Sequence, residues 1–115
     1  MPTGSDFKLD KVLSLLGLAK RAGRLLSGES AVKEGVRFGK AHLVVIAADT
    51  SCNTAKNITD SCNYYGVRYF TYSDKTSLGH AIGNEFNAAV AVTDEGFSKS
   101  IEKCLQANIN GGDRL

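Results

Sequence analysis

His42-Leu43-Val44-Val45-Ile46-Ala47-Ala48-Asp49 carries the strongest fold signal in the sequence. Leu43 to Ala48 is an unbroken apolar run, and Val44, Val45 and Ile46 are β-branched. A surface helix would show a polar residue every three or four positions, and a half-buried strand would alternate. An unbroken β-branched run predicts a central strand covered on both faces, as in a sheet with helices on either side.

Outward from this run, helical and strand patterns alternate. Before it, Leu9, Val12, Leu13, Leu16 and Ala19 recur at helical spacing. They predict a first helix that starts near Ser5 or Asp6, either of which can cap free N–H groups, and ends at Lys20-Arg21-Ala22-Gly23. Arg24 to Ser27 reads as a short strand, and Ser27-Gly28-Glu29 as the start of a second helix burying Val32 and Val36 and stopping at Gly39. After it, Thr50 to Asn53 reads as a loop containing Cys52. Ala55, Ile58, Cys62 and Tyr65 line a third helix closed by Gly66. Val67 to Tyr72 is a strand, and Ser73-Asp74 opens a short helix with Leu78, Ala81 and Ile82. Asn84 to Asn87 is a polar loop, Ala88 to Thr93 a strand, and Asp94 caps a last helix burying Phe97, Ile101, Cys104 and Leu105. This order predicts an α/β fold: a three-layer α/β/α sandwich around a small mixed four-stranded sheet.

The chain has 115 residues, 43% hydrophobic and 23% charged, which suits one soluble globular domain. No apolar stretch approaches the ~20 residues of a membrane span. Three cysteines are too few for a disulfide scaffold. Met1-Pro2-Thr3-Gly4-Ser5 lacks the pattern of a secretion signal, so a cytoplasmic chain is expected. Residues 1–5 are expected to be disordered, 6–107 to form the domain, and 108–115, with Gly111-Gly112, to be a flexible tail.

Residues 1–40 hold eight of the fourteen Lys and Arg but only four of the twelve acids. This basic first third suits a nucleic-acid partner. Motifs for chemistry are missing. The sequence contains no G-x-x-x-x-G-K-[ST] phosphate loop, no G-x-G-x-x-G and no G-x-S-x-G nucleophile turn. Cys52 and Cys62 are too far apart for a paired zinc ligand set. His80 reads as a surface or packing residue. Asp49 and Asp94 follow strands, where carboxylates can hold Mg²⁺, but both read more simply as helix-start caps. No enzyme, metal or cofactor is expected.

What remains is a binding surface. Gly28 and Glu29 begin a helix just after the basic stretch Lys20-Arg21-Ala22-Gly23-Arg24. A helix start offers unpaired N–H groups and partial positive charge to phosphate oxygens and base edges, and a glycine lets them approach closely. Phe86 in the Asn84-Glu85-Phe86-Asn87 loop could stack a base or fold back onto the core.

Taken together, Gly28 to Gly39, Leu43 to Asp49, Leu78-Gly79-His80-Ala81-Ile82-Gly83 and Ala89-Val90-Ala91-Val92-Thr93-Asp94-Glu95-Gly96 resemble the ribosomal-protein L7Ae/L30e family, which binds kink-turn RNA. Leu15-Leu16-Gly17-Leu18-Ala19-Lys20-Arg21-Ala22-Gly23 resembles its bacterial branch of small ribosomal or ribosome-associated proteins. The resemblance spans Asp6 to Leu105 and implies the same α/β/α sandwich. In RNA-binding relatives the second helix begins Gly-x-Asn-Glu-x-x-Lys. Asn and Glu read guanine edges in sheared G·A pairs, and Lys supports the backbone. Here Gly28 matches, but Ser30, Ala31 and Glu34 stand in place of Asn, Glu and Lys. Lys33 is one residue early, about 100° around the helix.

The resemblance implies a non-catalytic RNA-binding protein of the ribosome or translation apparatus, a monomer when free, with ribosomal proteins as further partners. Gly28, Glu29, Ser30 and Lys33 would meet a bent or internal-loop RNA. Lys20, Arg21, Arg24, Arg37 and Lys40 would reach phosphates, and Asn84, Glu85, Phe86, Asn87 and Ala88 would pack on a splayed nucleotide. The three departures keep a second expectation open: a protein-interaction module of the translation apparatus that has lost specific RNA readout.

Overall fold

The computed structural model describes residues 10–114, with side chains from Asp10 to Ala107. The elements run α1 (Lys11–Arg21), β1 (Leu25–Ser27), α2 (Glu29–Arg37), β2 (Leu43–Ile46), α3 (Cys52–Tyr65), β3 (Arg68–Thr71), α4 (Lys75–Ala81), β4 (Ala89–Val92) and α5 (Glu95–Arg114). The sheet order is β1-β4-β2-β3. β2 and β3 are parallel and joined through α3, whereas β4 is antiparallel to both β1 and β2. The sheet is therefore mixed, and β4 and β2 are its two buried central strands.

Side-chain alternation sorts the core into two halves. Leu43, Val45, Val90 and Val92 face Val12, Leu16, Ala19, Leu78, Ile101 and Leu105 from α1, α4 and α5. Val44, Ile46, Ala89 and Ala91 face Val32, Val36, Ile58 and Cys62 from α2 and α3. The expected sandwich is thus present, with three helices on one face and two on the other among the described residues. Cys62 lies in the second half, and burial pushes its thiol up to about 11.

The structure corrects three local expectations. The helix that carries Val12 and Leu16 is capped by Asp10, whose Oδ1 accepts from Leu13 N at 2.9 Å. Residues 1–9, with the expected caps Ser5 and Asp6, lie outside the described residues. Asp10 also accepts from the Tyr72 hydroxyl at 3.1 Å. Burial first, and then this carboxylate, push that hydroxyl up to about 12. Cys52 opens α3 rather than sitting in a loop, because Ser51 Oγ accepts from Thr54 N and starts the helix there. Tyr65 is 45% exposed, because it lies toward the groove between α2 and α3 and not under α3. The backbone of α5 runs on to Arg114, through the segment expected as a tail. Gly111 and Gly112 each cost a helix about 1 kcal/mol relative to Ala, but neither blocks its geometry as proline would.

Candidate nucleic-acid interface

Among the described residues, α2 is the one helix that begins without a side-chain cap. Asp10, Ser51, Asp74 and Asp94 cap the other four. Hydrogen bonds from Ser77 hold the Asp74 carboxyl below its ordinary range. At α2 the capping position is Gly28, with φ 96° and ψ 154°, a region essentially reserved for glycine. The first helical bond is Val32 N to Gly28 O at 2.9 Å. The N–H groups of Glu29, Ser30 and Ala31 therefore have no partner within the helix. A side chain at 28 would meet nothing within 4 Å, so this helix start stands open.

The sheet brings the second predicted segment to the same place. Ser27 pairs with Val90, and Gly28 N donates to Ala89 O at 3.0 Å. The Asn84–Ala88 loop feeding β4 thus abuts the start of α2. The loop is held from two sides. Ala88 O accepts from Ala47 N at 2.8 Å and from Thr50 Oγ1 at 3.1 Å. Asn84 N donates to Gly79 O at 2.8 Å, and Asn87 N donates to Lys75 O at 3.0 Å. Gly79 makes this docking possible, since a Cβ there would lie 2.8 Å from the Phe86 backbone nitrogen and Cα. Phe86 projects outward and is 61% exposed, which settles its orientation in favour of solvent. Asn87 goes the other way. It is buried, and its Oδ1 has no hydrogen-bond partner.

Other predicted residues have different surroundings. Glu29 turns its carboxylate to α3, accepting from Thr54 Oγ1 and Asn57 Nδ2, both at 3.3 Å. It clamps α2 to α3 and so positions the helix start. Ser30 and Lys33 line a groove of about 510 Å³ between α2 and α3 with Glu34, Arg37, Ser61 and Tyr65. Ala31 faces the β1 side, beside Leu26 and Phe38.

The structure does not bring Arg24, Lys20 and Arg21 to the Gly28 edge, and Arg37 lies at the far end of the groove that Glu29, Ser30 and Lys33 also line. Arg24 lies four extended residues before Gly28, about 13 Å back along the strand. Arg37 lies eight residues after Glu29, about 12 Å along the helix axis. Arg24 N donates to Ala19 O at 2.8 Å, which places the end of α1, with Lys20 and Arg21, by Arg24. They are close to Gly28 in sequence, but strand and helix carry their Cα atoms toward the other end of the sheet. Asp94 caps α5 as expected. Asp49 instead accepts from Lys75 N at 2.8 Å, at the start of α4.

Sequence comparison matches residues 10–102 to the ribosomal protein L7Ae/L30e/S12e/Gadd45 family. The chain is 47% identical over 91 residues to the RNA-binding protein YlxQ of Bacillus subtilis, covering 79% of this chain and 91% of the relative. It is 33% identical over 96 residues to YlxQ of Enterococcus faecium, covering 84% and 92%. Among solved structures, a protein of unknown function from Bacillus halodurans superposes with a TM-score of 0.78 at 38% identity, covering 81% of this chain and 94% of that one. The family match spans the whole sheet and both helical layers described above. The chain belongs to the ribosomal protein L7Ae/L30e/S12e/Gadd45 family.

Proposed function

We propose that this protein is a non-catalytic RNA-binding protein of the cytoplasmic ribosome or translation apparatus, and that it recognises a bent, kink-turn-like RNA at the Gly28 edge. The observation that carries this reading is the uncapped start of α2 beside a docked loop bearing an exposed Phe86. Three outward N–H groups are suited to phosphate oxygens or guanine acceptors. Phe86 supplies a face for a splayed base. The names of the YlxQ relatives support RNA as the partner. The engagement of Asp49 and Asp94 with helix-start N–H groups supports a binding role over a catalytic one.

The readout here is leaner than the family motif. Ser30 makes one hydrogen bond where an amide makes two, Ala31 makes none, and Glu34 places a negative charge on the same helix. Backbone N–H groups and Lys33 carry more of the contact.

The test is gel mobility on a kink-turn RNA, a straight duplex and an unstructured strand, at low and moderate salt. The expected result is a kink-turn complex that persists at the higher salt after the duplex complex has dissociated. Equal, salt-labile binding to all three would contradict the proposal and point to a protein partner for this edge.

A further inference from the structure

Arg37 and Lys40 lie with most of the exposed aromatic rings of the described chain. Phe38 is 61% exposed, Tyr65 45% and Tyr64 81%, at the C-terminal ends of α2 and α3. These residues form a continuous strip. The Arg37 guanidinium lies over the Phe38 ring, 5.3 Å from its centroid. Arg37 also lines one groove with Tyr65. Tyr65 in turn meets Tyr64 edge to face, with centroids 4.8 Å apart. Lys40 shares a small pocket with Phe38, and its backbone N–H closes on Gly35 O. Arg24 enters the same edge, where its carbonyl accepts from Thr93 N and the adjoining Val92 O accepts from His42 N.

We propose that this far edge is a second RNA site that takes single-stranded RNA, stacking bases on Phe38 and Tyr65 and holding phosphates with Arg37, Lys40 and Arg24. Rings alternating with cations are what a flexible strand needs. Every base has a face to stack, and the backbone is negative throughout. The charge balance favours RNA over an apolar protein partner. Of the two acids in the groove, Glu29 is engaged by Thr54 and Asn57, and Glu34, about one turn nearer Gly28 than Arg37, is outnumbered at this edge by Arg37, Lys40 and Arg24. With a bent RNA on one edge and a strand on the other, one copy of the chain could hold two segments of RNA together. The inference rests on the chain binding RNA, but it does not rest on the Gly28 edge being the kink-turn site.

Two probes keep the readings apart: a short oligouridine, and a blunt-ended kink-turn RNA with no single-stranded extension. With the full chain, the Phe38→Ala/Tyr65→Ala double variant is expected to lose about tenfold in oligouridine affinity while kink-turn affinity changes less than about twofold. Tyr65→Phe keeps its ring and is expected to bind oligouridine like the unsubstituted protein. Crosslinking of 4-thiouridine strands to the unsubstituted protein is expected at Phe38, Tyr64 or Tyr65, and this readout does not depend on any variant folding. Crosslinks confined to Phe86, unchanged binding by the double variant, or no oligouridine binding at low salt would each overturn the second site. Loss of kink-turn selectivity with oligouridine binding intact would overturn only the reading of the Gly28 edge.

Discussion

Gly28→Val is expected to lower stability by about 1–3 kcal/mol and to reduce kink-turn affinity at least tenfold. The space around a Cβ at this position is empty, so no clash produces the effect. The cause is backbone strain. At φ 96° and ψ 154° a β-branched residue is strongly disfavoured, at a cost of about 1–3 kcal/mol. The chain can escape by moving to negative φ. That move would pull Gly28 N away from Ala89 O, a bond of 3.0 Å, and re-aim the first turn of α2. Either route alters the three N–H groups offered to RNA. Urea unfolding and RNA titration on the same variant separate the two losses. A variant as strained as expected but binding RNA normally would show that the helix start is not the contact.

The second large effect is a gain. The Ser30→Asn/Ala31→Glu/Glu34→Lys variant restores the family's Gly-x-Asn-Glu-x-x-Lys pattern on an unchanged backbone. If each restored base contact contributes about 1–3 kcal/mol, as in base readout by bidentate side chains, two contacts together predict tighter kink-turn binding by thirtyfold or more. Removing the Glu34 charge adds to this through weaker repulsion of phosphate. Ser30 and Glu34 are exposed, so two of the three changes leave the core untouched. Ala31 is half-buried at the third helical position, where a carboxylate is also favoured by the helix dipole. Calorimetric titration with the kink-turn RNA reads the change. Equal affinity in the two proteins would mean that the RNA does not approach this face of α2.

The layers of this fold were legible because burial leaves a mark on composition. Leu43 to Ile46 has no polar residue because helices cover both sides of the strand, and Ala89 to Val92 repeats the pattern. Elements with only one buried face were legible through period, as at Val32 and Val36. Helix boundaries were harder. Ser5, Asp6 and Asp10 are all chemically competent caps, and only the register of α1 against Tyr72 favours Asp10. Tyr65 follows Cys62 at a helical spacing, yet a seven-residue arc from Ile58 also reaches the side of the helix.

Half of the site was legible as well. Gly28 and the Asn84–Ala88 loop lie about sixty residues apart in sequence, yet the antiparallel pairing of β1 with β4 makes them neighbours. The role of Gly79 was not legible. Nothing in Leu78-Gly79-His80 signals that a loop backbone will rest on it, because close approach is a tertiary fact. The positions of the basic residues were not legible either, for the opposite reason. Lys20 to Lys40 are close along the chain, but an extended strand puts Arg24, and a helix puts Arg37, more than 10 Å from Gly28. The same separation exposed the aromatic strip beside Arg37, whose members come from positions 38, 64 and 65 and share no motif.

A map of backbone amide resonances on titration with kink-turn RNA tests the proposed Gly28 edge residue by residue. The largest shifts are expected at Glu29, Ser30 and Ala31 and across Asn84 to Ala88, with smaller ones at Lys33. Shifts concentrated in the groove between α1 and α4, around Leu18 and His80, with the start of α2 unmoved, would contradict it.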